Sequence, residues 1–146
     1  MQRTRKYNDP RLNTAIEELN GYRERERRIS ELTEKLQEYE ETYAEIKAIA
    51  YDIERVAGGE RRDRIVEIAC KWADLDIEIK RLKVENERAL WYVKEKLNRL
   101  TTTKAKVLEL YYIKGYALIQ IARILNYSFG GIKYLKDSAI KEYAFL

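Results

Sequence analysis

The chain has 146 residues with 29 basic and 25 acidic side chains, one cysteine, one proline and no histidine. A single cysteine excludes an intrachain disulfide framework, the lack of histidine nearly excludes a Cys/His zinc site, and no apolar run approaches the roughly 20 residues that span a bilayer. Abundant charge with little Pro or Gly suits long helices, and the length allows one or two domains.

Residues 1–8 are expected to form a flexible basic arm. Met1 to Lys6 is basic, but no apolar core follows, so the start is not a secretory signal. Asp9 and Pro10 read as a helix start. Asp caps free amides, and Pro suits the first turn because its missing N–H is not needed there. Leu12, Ile16 and Leu19 form a first apolar stripe, with Gly21 just after it. Ile29, Leu32, Leu36, Tyr39, Tyr43, Ile46, Ala50, Ile53 and Ala57 then alternate steps of three and four, which is a heptad seam.

Gly58 and Gly59 are expected to turn the chain, because glycine adopts the left-handed conformation that closes a helix. A second seam follows through Ile65, Ile68, Trp72, Leu75, Ile79, Leu82, Asn86, Ala89 and Val93. Two seams joined by a short turn predict an antiparallel coiled-coil hairpin over residues 9–100. Pairing residues whose numbers sum to 118 sets Ile53 on Ile65, Ile46 on Trp72, Tyr39 on Ile79 and Leu32 on Asn86. In that register Leu12, Ile16, Leu19 and Tyr22 have no partner on the second helix. They would pack on the C-terminal domain or on a second chain, and a homodimer is the expectation. Asn86 is either a register or partner specifier or a half-exposed position near the hairpin's open end, the latter being preferred. Cys70 reads as a surface thiol, and such a free thiol suits a reducing compartment. Trp91 and Tyr92 are either an interaction patch or, the preferred reading, packing against the start of the next domain. Thr101-Thr102-Thr103 marks the boundary.

Residues 101–146 read as three short helices. Lys104 to Ile113 carries Val107, Leu108 and Tyr111, and Gly115 stops it. Ile119 to Leu125 carries Ile121, Ala122 and Leu125 on one face. After Asn126-Tyr127-Ser128, Ile132, Leu135, Ala139 and Tyr143 mark the inner face of a last helix. Two helices joined by a three-residue turn describe a helix-turn-helix. Ser128 is placed to cap the last helix, and Ala122 lets the two helices cross closely. The charge supports a polyanionic partner here. Residues 1–100 hold 22 basic and 22 acidic side chains, whereas residues 101–146 hold seven and three.

The run Val107-Leu108-x-Leu110-Tyr111-Tyr112-x-x-Gly115, Gln120-Ile121-Ala122-x-x-Leu125, Ser128-x-Gly130-x-Ile132-Lys133 resembles region 4 of the sigma-70 family, which reads the −35 promoter element. A long coiled segment placed before such a module is similar to the late transcription regulators of phages, of the ArpU and RinA type. The resemblance implies DNA contacts at Phe129, Gly130, Gly131, Lys133, Tyr134 and Lys136. Phe129, Gly130 and Gly131 stand where charged or polar readers are frequent, Ala117 replaces a frequent Ser cap, and Gln120 a frequent Glu.

The outer face of the last helix extends the set. Lys136 on this helix and Arg123 on the preceding one are assigned to phosphate, and Lys133 and Tyr134 to the groove, with binding through the segment Ser128 to Lys141. The expectation is an all-α, DNA-binding transcription regulator, phage-encoded and cytoplasmic in a bacterial host, bound to double-stranded DNA and without a cofactor. The alternative is a coiled-coil adaptor that contacts RNA polymerase or another protein. No catalytic base, nucleophile pair, phosphate loop or metal-ligand cluster points to an enzyme, and the glutamates follow the solvent face of the seams.

Overall fold

The computed structural model describes residues 8–52 and 59–146, with side chains described over 8–49 and 62–146. The described residues are all-helical, with no strand. In order they form α1 (Pro10–Asp52), α2 (Gly59–Leu97), α3 (Thr102–Leu108), a π-helical turn (Glu109–Ile113), α4 (Leu118–Leu125) and α5 (Phe129–Ala144). None of these helices is long and apolar enough to cross a membrane. Residues 1–7 of the expected basic arm (1–8), Gly58, the pairing of Ile53 with Ile65 and the position of Ala57 lie outside the described residues. Gly59 opens α2.

The start of α1 follows from its residues. The Asp9 carboxylate accepts the Arg11 amide at 2.9 Å, and Pro10 occupies the first helical position. The helix then runs without a break through Gly21.

The described residues divide into two compact units. One comprises residues up to Arg25 together with Asn86–Leu146; the other is Glu26–Glu85. In the second unit α1 and α2 pair in opposite directions. Ile29, Leu32 and Ile79 form its buried cluster, flanked by half-buried Leu36, Leu75 and Leu82. Further along, the Trp72 indole N–H donates to Glu40 Oε1 at 3.1 Å, beside Tyr39 and Tyr43.

These contacts correct the register. Cross-helix hydrogen bonds join Arg25 to Asn86 and Glu40 to Trp72, whose numbers sum to 111 and 112, about one heptad below the expected value; Leu32 with Ile79 and Leu36 with Leu75 share that sum and lie in one cluster. Trp72 faces Tyr39 and Tyr43 rather than Ile46. The physical reason is the repeat itself. A slip of seven residues keeps most apolar positions opposite apolar ones, so heptad steps alone leave both registers open; the difference lies at Asn86, which faces Leu32 in the expected register and bonds Arg25 in the observed one.

The first unit contains the main core. Leu12, Ala15, Ile16 and Leu19 from α1 meet Val93 and Leu97 from α2, Leu108 and Tyr112, and Ala139, Ile140 and Tyr143 from α5. The early stripe of α1 is therefore covered within the chain, and the reason for expecting a second chain there disappears. Asn86 is 2% exposed, not half-exposed, and its Oδ1 accepts Arg25 Nε at 2.9 Å. Trp91 and Tyr92 are 64% and 57% exposed and do not pack under the following helices. Cys70 is exposed, as expected.

A polar cluster ties three helices together beside this core. Lys96 Nζ lies 3.1 Å from Glu18 Oε2, and the Tyr143 hydroxyl donates to Glu18 Oε1 at 3.0 Å. Burial first, and then the negative charge of Glu18, push the Tyr143 phenol far above its usual range, so it stays a donor. Both carboxylate oxygens of Glu18 thereby have partners at a part-buried site.

Candidate nucleic-acid interface

Three short helices build the candidate surface, and each boundary has a local cause. The π-helical turn ends with Lys114 N–H donating to the Glu109 carbonyl at 3.0 Å and Tyr116 N–H to that of Leu110 at 2.9 Å. Gly115 takes φ +77°, the left-handed region that a side chain rarely adopts. A Cβ there would also lie 2.9 Å from the Arg23 guanidinium. At α4, Ala117 offers no capping oxygen. Its N–H instead donates to Gln120 Oε1 at 3.0 Å, so glutamine at the third helical position supplies half of a capping box.

Asn126 closes α4 at φ 60°, in the left-handed conformation that asparagine tolerates. Ser128 caps α5 as expected, its Oγ accepting the Gly131 amide at 3.1 Å. Val107, Ile121, Ala122 and Ile132 form the buried centre, with Leu110, Tyr111, Leu118, Leu125 and Leu135 packed around it. Ile132 and Ile121 are 0% exposed, which fixes the rotation of α5 and of α4.

That rotation decides what faces out. Phe129, Gly130, Lys133 and Tyr134 are exposed on the first two turns of α5, Tyr134 at 74%. Ser128 beside them and Arg123 on α4 are exposed too. Lys141 is exposed two turns beyond Tyr134, on the same face of α5 because seven residues make nearly two turns.

Two of the expected residues behave differently. Gly131 is half-buried, and a Cβ there would sit 3.0 Å from Ser128 Oγ, so its lack of a side chain serves the cap. Lys136 is half-buried, with its Nζ 3.9 Å from the Tyr111 ring centroid. Its aliphatic stem and charge are both spent inside the domain, because a cation over an aromatic face is attracted by the ring's quadrupole. The expected outward Lys136 is thus corrected. Lys104 is likewise engaged, pairing with Glu142. Exposed cations remain at Lys106, Lys114, Arg123, Lys133 and Lys141.

Gly130 is the informative glycine. Its φ is not in the left-handed region, and nothing lies within 4 Å of where a Cβ would stand. A helical glycine costs about 1 kcal/mol against alanine. Neither backbone conformation nor packing within the chain requires it.

The sequence reading missed one feature. Ile119, Ile124 and Tyr127 are about half exposed, as is Phe129, and Tyr134 is more so. The signal was present. Ile119 and Ile124 are apolar residues of α4 outside the inner stripe Ile121, Ala122 and Leu125. Among the described residues no group of three or more His, Cys, Asp or Glu is placed to hold a metal ion. Compared with protein-family models, curated proteins and solved structures, the chain finds no match.

Proposed function

We propose that α4 and α5 act as a helix-turn-helix that binds double-stranded DNA. In this reading α1 and α2 form an antiparallel coiled-coil hairpin, and the chain is a transcription regulator of the phage late type acting in a bacterial cytoplasm. The observation that carries the proposal is the arrangement of the first two turns of α5. Ile132 is fully buried behind, while Gly130, Lys133 and Tyr134 stand exposed in front. A recognition helix needs that arrangement, since its N-terminal turns enter the major groove. An unobstructed Gly130 lets backbone approach phosphate closely, where helix amides favour an anion.

Arg123 and Lys141 are assigned to phosphate, and Lys133 and Tyr134 to base edges. Lys136 moves from phosphate contact to support of Tyr111. Gel-shift titration of the intact chain at two salt concentrations tests the proposal. Binding should weaken steeply with salt, and Arg123→Ala should shallow the log–log slope by about 0.9. Lys133→Ala should change the preferred sequence, at about 1–3 kcal/mol per lost base contact. Binding that ignores salt and both substitutions rejects the proposal.

A second reading has a specific observation behind it. The apolar exposure at Ile119, Ile124, Tyr127 and Phe129 suits a protein contact, including one on RNA polymerase. Under that reading Phe129→Ala abolishes partner binding while any DNA affinity is unchanged.

A further inference from the structure

The unit Glu26–Glu85 has a feature that DNA binding does not use. Between α1 and α2, Tyr39, Tyr43, Ile68, Ala69 and Trp72 line an open depression of about 360 Å³ with Glu40 at its edge. Ile68 forms a buried apolar floor, Ala69 keeps one wall low, and three aromatic side chains supply most of the rest. The volume lies at the low end of small-ligand pockets, and fits the head of one side chain better than a large ligand.

The electrostatics favour a cation. Trp72 is anchored by its N–H on Glu40 Oε1 at 3.1 Å, which sets the indole and holds the carboxylate beside the aromatic wall. From Leu36 to Ile46 the chain carries Glu38, Glu40, Glu41 and Glu45 and no basic residue. Tyr43 already draws one cation, since Lys47 Nζ stands 5.8 Å from its ring centroid, near the outer limit of such a contact. The neighbouring Lys71 is paired 3.0 Å from Glu67; that hydrogen bond first, then the charge of Glu67 and an interaction with Tyr39, raise its pKa, so this cation also lies near the aromatic wall.

We infer that this depression is a binding site for the guanidinium of an arginine presented by a protein partner. A guanidinium is a flat cation that stacks on aromatic faces and offers its fork of N–H donors to a carboxylate. Tyr39, Tyr43 and Trp72 provide the faces, and Glu40 provides the carboxylate. A lysine ammonium fits less well, because it is strongly hydrated and has no plane to stack.

The test uses the full chain carrying Trp91→Phe, so that Trp72 gives the single indole N–H signal in a proton–nitrogen spectrum. Trp91 lies outside the depression. N-acetylarginine amide should shift this signal saturably, with a dissociation constant in the millimolar range. N-acetylcitrulline amide, neutral and of the same shape, should bind at least tenfold more weakly. Glu40→Gln keeps an acceptor for the indole and should weaken arginine at least threefold. Tyr43→Leu, at a partly exposed edge, should weaken it about tenfold with thermal unfolding little changed. Equal response to arginine and citrulline amides, or unchanged binding in both variants, overturns the inference.

Discussion

The two units bury their side chains by different means. Around Leu108 and Tyr143, segments from α1, α2, α3, the π-helical turn and α5 converge, and both residues are at most 1% exposed. Around Leu36 and Leu75, each helix has one partner, and both residues stay half-buried. Two helices offer each other a single seam, so the outer side of every seam residue meets water. The lesson concerns cooperativity. In the first unit one substitution reaches several helices, while in the second it reaches only the adjacent layers.

The largest effect should expose that contrast directly. Leu108→Ala should cost about 3–5 kcal/mol, as deep truncations do, and Leu36→Ala only about 1–2 kcal/mol. Urea unfolding checks both, and equal costs would break the distinction. Each unit has its own reporter, since Trp91 lies in the first and Trp72 in the second. Fluorescence of the two single-tryptophan variants should therefore show Leu108→Ala mainly through Trp91.

The register gives the next effect. In a Cys70→Ala background, cysteines at Leu36 and Leu75 should form an intrachain disulfide that stabilises by about 2–4 kcal/mol. Cysteines at Tyr43 and Leu75, which pair in the register one heptad higher, should not. Mass spectrometry of the oxidised proteins distinguishes the two.

Smaller effects belong to the first unit alone. Ser128→Ala removes the cap on Gly131 and should cost about 1 kcal/mol, leaving the Trp72 transition in place. Gly130→Ala should do the opposite, raising stability by about 0.4–1 kcal/mol because the site is open and the backbone compatible. If α5 meets a phosphate backbone, that same change should weaken DNA binding even as the protein becomes more stable. A gain in both would remove close approach as the reason for glycine at this position.

How much of this was legible in the sequence depended on whether a local rule decided it. Asp9, Ser128 and Gly115 act within three or four residues, and each took its expected place. Among the described residues, heptad steps picked out Ile29, Leu32, Ile68, Ile79 and Val93, which are buried, and Leu36, Leu75 and Leu82, which are half-buried. They could not set the register, because Leu36 meets an apolar residue in either alignment. The Arg25–Asn86 bond and the core around Leu19 are long-range contacts that accompany the observed one, and nothing in either local segment announces them. At the candidate site, the phase of Ile132 correctly placed Lys133 and Tyr134 outside. Lys136 was misread because its stem reaches back to Tyr111, on an element whose phase is unusual.

That unusual phase is the π-helical turn at Glu109–Ile113. In an ordinary helix each residue advances about 100°, so neighbouring Tyr111 and Tyr112 would point well apart. The wider turn holds one residue more than an α-helical turn would. Tyr112 enters the main core, while Tyr111 touches both cores and carries Lys136 on its face. The two rings meet edge to face at 4.8 Å. The effect of the turn is to make one short segment answerable to two neighbourhoods at once: the main core of the first unit and the cluster beneath the helix proposed to bind DNA.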